Sequence, residues 1–192
     1  MKSKVIGFLL LGTIFAGGVQ ANAATINRGT PHRKVVHSTI SKPSTDTSTT
    51  ENTTVASDKF MAQVEQAIFN KVNEERTKAG VAPLSYNSTM EKYARIKSQD
   101  MGDNNYFSHA DLSGNYITTK MKADGVNYKA WGENIAYIGG MTDPTALANQ
   151  FMENWMNSEG HRANILSTNF NSIGVGVYKI GDKVYATQEF YK

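Results

Sequence analysis

The sequence predicts an α+β fold in which helices come first and an antiparallel hairpin comes last. Apolar positions recur at helical spacing in residues 58–101, and two alternating runs flank a turn in residues 173–190. No regular strand–helix alternation occurs along the chain, although a doubly wound parallel sheet would need it. At 192 residues the chain has room for one ordinary domain with appendages.

The first two helices are predicted near residues 58–79 and 88–101. In the first, apolar side chains recur at helical spacing over polar neighbours: Phe60, Val64, Ile68 and Val72. Gly80 is expected to end it. Ser88, followed by Glu91 three residues later, matches a capping box that would open the second helix. The buried stripe of that helix is expected at Met90, Tyr93 or Ala94, and Met101, with Lys97 at its edge.

Shorter elements follow. Residues 104–114 are predicted to form a loop, residues 116–123 a short helix and residues 135–138 a strand. Asp143 before Pro144 predicts the start of a third main helix, which should end before Gly160. Gly181-Asp182 is the expected turn of the final hairpin, between Ile173, Val175 and Val177 on one strand and Val184, Ala186, Gln188 and Phe190 on the other.

The N-terminal part has the composition of an export signal and a tether. Residues 1–23 combine a basic start, an apolar run and Ala21-Asn22-Ala23, which predicts a signal peptide cleaved after Ala23. An uncleaved anchor is the alternative, but the apolar run is short and interrupted by glycines. Residues 24–57, rich in serine and threonine, are predicted to be a disordered linker before a domain at 58–192. The protein is thus expected to be secreted, without a stable membrane anchor.

Composition excludes several kinds of site. The chain has no cysteine, so neither a disulfide nor a thiolate site nor a cysteine nucleophile exists. Its net charge is +3, and removing Lys2 and Lys4 with the signal peptide leaves 18 basic and 17 acidic side chains. Such a balanced surface does not favour a nucleic-acid partner. No serine-nucleophile elbow, zinc-protease helix, phosphate-binding loop or calcium loop is present.

Two histidines of the predicted domain, His109 and His161, lie at the edges of predicted elements. Taken alone, each is more often a capping or surface residue than a ligand or an acid–base group. The surrounding segments carry more information, and they occur in a fixed order: Tyr106-Phe107-Ser108-His109, Trp131-Gly132-Glu133-Asn134-Ile135-Ala136, residues 155–166 from Trp155 to Leu166, Ile173-Gly174-Val175-Gly176 and Thr187-Gln188-Glu189-Phe190.

Together these five segments resemble the bacterial branch of the CAP superfamily, the SCP-like extracellular domains. The resemblance spans residues 60–190, and Asn73, Arg76 and Gly80 also look like that family's first helix and turn. It implies a three-layer α-β-α sandwich with a central antiparallel sheet. It also implies a central cavity lined by two histidines and acidic residues, which in some members holds a divalent metal, typically zinc.

Carried over by motif, the cavity residues are His109, Glu133 and His161, which are also the candidates for any catalytic role. Two imidazoles and a carboxylate suit Zn²⁺ and would leave an open position for water. Without metal, Glu133 could instead hydrogen-bond one of the histidines. Many family members place a second glutamate one turn after the tryptophan of the third helix. Here that position is Ser158, and Glu159 follows it, so the fourth corner of the cavity stays open.

Three functions are compatible with the sequence. The favoured one is a secreted binding or interaction module that acts on an extracellular ligand or a cell-surface component, because the chain lacks an evident nucleophile and the family resemblance does not imply catalysis. The alternative is a zinc-assisted, peptidase-like hydrolase with Glu133 as ligand or general base. A purely structural extracellular role has no dedicated sequence feature.

Overall fold

The computed structural model describes residues 48–192, with side chains from residue 57 onward. The predicted signal peptide and residues 24–47 of the predicted linker lie outside these residues. The described elements are α1 (Ser48–Lys78), β1 (Ser85–Tyr86), α2 (Ser88–Asp103), α3 (Ile117–Ala123), β2 (Trp131–Gly139), α4 (Pro144–Met156), α5 (Glu159–Leu166), β3 (Ser172–Ile180) and β4 (Lys183–Tyr191). Helices within this range fall short of the length and apolarity needed to cross a bilayer.

The strands form one sheet in the order β1-β3-β4-β2. Strands β3 and β4 are the predicted hairpin, and their pairing closes at Ile180 opposite Lys183 around the predicted turn. Strand β2 pairs antiparallel with β4 along its whole length and forms one edge of the sheet. The short β1, which was not predicted from the sequence, adds a two-residue parallel pairing at the start of β3. The predicted α+β class is confirmed.

Helices cover both faces of this sheet. Helix α2 packs against β3 and β4 on one face, whereas α1, α4 and α5 pack on the other. The main core lies under α1 and α4, and its fully buried side chains include Val64, Ile68, Val72, Leu147, Phe151, Ile173, Val175 and Phe190. Because side chains alternate along the hairpin strands, Ile173, Val175 and Phe190 face this core, whereas their neighbours in the strands face α2. This arrangement is the predicted α-β-α sandwich.

Helix α1 begins at Ser48, so it extends into the segment predicted to be linker. The serine- and threonine-rich composition argued against burial of apolar surface, and it does not determine the backbone conformation. In a formed helix these residues cost only about 0.5 kcal/mol each relative to alanine. Extending a helix is also much easier than nucleating one. The start of a helix is therefore poorly predicted by composition alone.

The start of α2 differs from the predicted capping box. Asn87, not Ser88, is the N-cap, and its Oδ1 accepts hydrogen bonds from the backbone N–H groups of Thr89 and Met90, both at 3.1 Å. Glu91 instead forms an ion pair with Arg95 one turn later, at 2.5 Å. Asparagine and serine are comparably good N-caps, so the sequence offered two neighbouring starts.

Helix α5 was not predicted from the sequence, which indicated only that the third main helix ends before Gly160. Helix α4 ends at Met156, and a second short helix starts at Glu159. Its eight residues include Gly160 and bury only Asn164 and Ile165, so it has no apolar stripe that periodicity would detect. This helix carries His161 and therefore matters for the candidate site.

Candidate functional site

The structure joins two of the three predicted cavity residues directly. His109 lies in the loop between α2 and α3, and Glu133 is the third residue of β2. The Nδ1 atom of His109 is 2.5 Å from Oε1 of Glu133, and the two side chains are 11% and 1% exposed. A buried carboxylate bonded to one ring nitrogen fixes the orientation of the imidazole. The other nitrogen, Nε2, is then the one left for a ligand.

The third predicted residue, His161, approaches the pair from α5. Its Nδ1 is buried and has no hydrogen-bond partner among the described residues. Burial lowers the pKa of His161 to about 4, and the nearby His109 contributes to this lowering. The ring is therefore neutral at pH 7 and keeps a lone pair available. His161 forms no hydrogen bond with either of the other two residues in the described part of the chain.

An amide network on the other face of β2 holds α5 against the sheet. Asn134 donates to the backbone carbonyl of His161 at 3.1 Å and to the side chain of Gln188 at 2.9 Å. Asn164 donates to Oδ1 of Asn134 at 2.9 Å and to the backbone carbonyl of Glu133 at 3.3 Å. These bonds, most of them buried, connect the segment that carries His161 to the strand that carries Glu133. They thereby set the spacing of the site.

A second carboxyl group, which was not among the predicted cavity residues, lies beside Glu133. Glu189 of β4 pairs with Glu133 across the strands and is completely buried. Its Oε2 accepts a hydrogen bond from Nε1 of Trp131 at 2.6 Å. Burial raises the pKa of Glu189 well above its usual value, and the charge of Glu133 raises it further. The sequence feature that could have pointed to Glu189 is the alternation along β4, which places it on the opposite face from Gln188 and Phe190.

Lys97 is a buried cation near these carboxyl groups. It is 3% exposed, and its Nζ donates to the hydroxyl of Tyr106 at 3.2 Å. Burial lowers the pKa of Lys97, whereas the charges of Glu133, Asp100 and Glu189 act in the opposite direction. The sequence placed Lys97 at the edge of the buried stripe of α2. The structure places it inside, where it offsets part of the negative charge of the acids.

The position left open by the sequence, Ser158 or Glu159, contributes no carboxylate to the pair. Ser158 is buried and is the N-cap of α5, whereas Glu159 is exposed in its first turn. Because α4 ends at Met156 and Ser158 has an extended backbone before α5, the spacing of one continuous helix does not extend to these two positions. Within residues 57–192, no three or more histidine, aspartate or glutamate side chains come together in a geometry that would hold a metal ion.

Known proteins resemble this chain in sequence and in fold. The model of the cysteine-rich secretory protein family (CAP) matches residues 69–190. The uncharacterized protein YkwD of Bacillus subtilis is 42% identical over 139 residues, which cover 72% of this chain and 51% of YkwD. The uncharacterized membrane protein YlbC of the same organism is 35% identical over 134 residues, which cover 70% of this chain and 36% of YlbC. The chain thus spans about half the length of YkwD and less of YlbC.

Solved structures also resemble this chain in fold. An extracellular protein from Bacillus anthracis that contains an SCP domain aligns with a TM-score of 0.58 at 35% identity, over 69% of this chain and 41% of that protein. An outer surface protein of Borrelia burgdorferi aligns with a TM-score of 0.59 at 21% identity, over 67% of this chain and 92% of that protein. The second likeness concerns the fold alone.

Proposed function

The chain belongs to the cysteine-rich secretory protein (CAP) family, and from that premise we propose that it is an extracellular binding module whose ligand occupies the cavity at His109, Glu133 and His161. One observation carries the proposal. A histidine held by a buried carboxylate lies near a second, neutral histidine whose buried Nδ1 has no partner among the described residues. A buried polar atom without a partner is costly unless something satisfies it.

A divalent metal is the candidate occupant, and the donor chemistry fits it in part. Neutral imidazole is a good ligand for Zn²⁺, and the neutral state of His161 removes the competition with protons. Glu133 is engaged with Nδ1 of His109, which is the position of a carboxylate that orients a metal-binding histidine rather than of a ligand. When bound, the metal would act as a Lewis acid toward an oxygen of the ligand.

The hydrolase alternative finds less support. A catalytic zinc usually has three protein ligands and an open position, whereas the described residues bring together no cluster of three. Glu133, the residue that would act as general base, is already hydrogen-bonded to His109. Two imidazoles can anchor a metal whose remaining positions belong to water or to the bound partner. The geometry therefore favours binding over hydrolysis.

Zinc titration of the purified chain tests the proposal. After treatment with a chelator, isothermal calorimetry should give one zinc per chain, and both His109→Ala and His161→Ala should abolish it. Glu133→Gln should weaken the affinity by roughly 10- to 100-fold, as expected for the loss of an orienting carboxylate. The matched control is the variant with His32→Ala and His37→Ala, which removes the two histidines outside the described residues and should bind zinc normally.

Two outcomes would overturn the metal part of the proposal. One is the absence of zinc binding, and the other is binding that survives both His109→Ala and His161→Ala. The hydrolase alternative has its own test, in which the zinc-loaded chain is incubated with a panel of peptides, esters and glycans. Cleavage that disappears in the His109→Ala and His161→Ala variants would replace the binding function by the enzymatic one.

A further inference from the structure

A cavity lies between α2, α3 and the loop that connects them. It has a volume of about 440 Å³, which lies within the usual range for small-molecule sites. Its lining includes the apolar side chains of Ile96 in α2 and Ile117 in α3. Charged and aromatic side chains also line it: Lys97, Asp100, Asp111 and Tyr116. Asp111 follows His109 by two residues, so this cleft and the histidine site share one loop. Here we call it the α2–α3 cleft.

The loop wall of the α2–α3 cleft is held in place by its own hydrogen bonds. Oδ1 of Asp111 accepts the backbone N–H groups of Ser113 and Asn115, each at 2.8 Å. The backbone N–H of Asp111 donates to the carbonyl of Asn115, also at 2.8 Å. Gly114 has a φ of +83°, which a residue with a side chain rarely adopts. A wall that is already ordered loses little conformational entropy when a ligand binds.

Lys97 provides a buried hydrogen-bond donor in the lining of the α2–α3 cleft. Only 3% of the residue is exposed, and an ammonium group has three N–H donors. Within the described residues, one hydrogen bond uses this group, the 3.2 Å bond to the hydroxyl of Tyr106. A buried ammonium with donors to spare favours a ligand that brings oxygen atoms. Such oxygens could be hydroxyl, carbonyl or anionic.

The charges of the lining indicate which of these kinds of oxygen the ligand carries. Lys97 and Lys120 are balanced by Asp100 and Asp111 in the lining, while Glu133 near Lys97 and Asp124 paired with Lys120 add negative charge, so the α2–α3 cleft has no excess of positive charge. An anionic ligand would gain from the lysines and lose comparably from the carboxylates. Hydroxyl groups, by contrast, both donate to carboxylates and accept from ammonium groups. The lining therefore suits a neutral ligand that carries many hydroxyls.

The shape of the walls argues against a peptide. Both walls are helices, whose backbone groups are already hydrogen-bonded within the helix, so no free strand edge is available to an extended peptide. Four charged side chains also make the cleft unsuitable for the apolar face of an amphipathic helix. A sugar ring has hydroxyls at its rim and C–H groups on its faces. Tyr116, which is 37% exposed, and Ile117 offer the apolar surface for such a face.

We propose that the α2–α3 cleft binds a neutral oligosaccharide, with Tyr116 against a ring face and Lys97, Asp100 and Asp111 at its hydroxyls. The site goes beyond the proposed function, since it requires neither His161 nor a metal. It gives the binding module a ligand class that the histidine site does not specify. Because the cleft shares a loop with His109, the bound sugar would lie next to the histidine site.

Binding is measured with the full chain on an array of neutral glycans and by calorimetric titration with cellotetraose, maltotetraose and chitotetraose. At least one of these probes should bind, and Tyr116→Ala should weaken that binding by about tenfold or more, because the aromatic contact is lost. Tyr116→Phe should retain it. The matched control is Tyr86→Ala, which removes an aromatic side chain of similar exposure, 43%, from strand β1.

Two further conditions separate this proposal from its competitors. The affinity should be the same in low and high salt, and it should persist in chelator and in the His161→Ala variant. No binding by any glycan, or binding unaffected by Tyr116→Ala, overturns the proposal. Strong salt dependence would mean an anionic ligand, and capture of peptides instead of glycans would mean a peptide site, so either result also overturns it. Loss of zinc binding with intact glycan binding would refute only the metal site.

Discussion

At the scale of single residues, the least expected group is the carboxyl of Glu189, which is completely buried beside that of Glu133. Two ionised carboxylates in one dry space repel each other, whereas a proton on one of them allows a hydrogen bond between the two. The raised pKa of Glu189 therefore means that the folded chain holds a proton there that the unfolded chain releases above its ordinary pKa. Folding is then linked to proton uptake.

We predict that Glu189→Gln stabilises the protein at high pH. Because the folded pKa of Glu189 is raised, its contribution is fully present below the unfolded value and is lost as the pH rises toward the folded one, by up to about 1.4 kcal/mol per pH unit. Glutamine keeps an acceptor for Trp131 and a permanent N–H donor for Glu133, so the variant should lack this decline. Urea unfolding at several pH values between about 5 and 9 measures the difference.

Glu159→Gln is the control for this prediction, since Glu159 is an exposed glutamate near the same site. Its free energy of unfolding should follow that of the unmodified protein at every pH. Parallel curves for Glu189→Gln and the unmodified protein would mean that Glu189 takes up no extra proton on folding.

How far the site could be predicted also depends on individual residues. His109, Glu133 and His161 were identified because each lies in a short, recognisable segment. Glu189 also lies in one of these segments, but neither it nor Lys97 was identified, because their surroundings depend on which strand pairs with β4 and on the rotation of α2. The pairing of Glu133 with Glu189 joins residues far apart in the chain, and alternation within β4 predicts a face but not a partner. Local sequence patterns do not reveal which residues of two distant strands lie opposite each other.

At the scale of elements, the contact between α2 and β3 depends on two glycines. A Cβ atom added at Gly174 would lie 2.0 Å from the backbone nitrogen of Glu91, and one added at Gly176 would lie 2.0 Å from that of Arg95. The helix backbone thus rests directly on the strand. In the sequence these glycines look like the beginning of a nucleotide-binding fingerprint, but they lie in a strand and lack the third glycine. Their spacing instead matches one turn of the helix above them.

We predict that Gly176→Ala destabilises the fold by about 1–3 kcal/mol, since α2 must move away from β3 to admit the methyl group. Gly139→Ala is the matched control, because the nearest atom to a Cβ there is 3.7 Å away, which is an ordinary contact. Thermal and urea unfolding of both variants provide the comparison. Equal stability of the two variants would show that the close approach of α2 is not required.

Whether elements were predicted correctly depended on how local their signals are. The start of α4 at Asp143 and Pro144 was confirmed, since capping and proline effects act within one turn: Oδ1 of Asp143 accepts the N–H of Ala146 at 2.7 Å. Strand β1 and helix α5 were missed. Strand β1 is a strand only because it pairs with two residues of β3. Helix α5 is held by side chains such as Asn164 rather than by an apolar stripe.

At the scale of the whole molecule, one carboxylate connects elements from all three layers. Glu65 of α1 is 3% exposed and accepts the backbone N–H of Val177 in β3 at 2.9 Å. Its two oxygens also accept from Nε and an Nη atom of Arg95 in α2, at 2.8 and 2.5 Å. Beyond its short pairing with β1, β3 is an edge strand. Glu65 therefore satisfies one of the edge groups that would otherwise be open to another strand.

We predict that Glu65→Ala lowers the free energy of unfolding by about 1–3 kcal/mol, mainly because the buried N–H of Val177 loses its acceptor. Arg95, whose side chain is 49% exposed, can turn to water, so the ion pair itself should contribute less. Glu75→Ala in the same helix is the control, since it removes only a surface pair with Lys78 and should change stability by less than about 1 kcal/mol. Urea unfolding measures both variants. If they lose the same stability, then Glu65 acts as an ordinary surface charge and the three layers are held together by the apolar core.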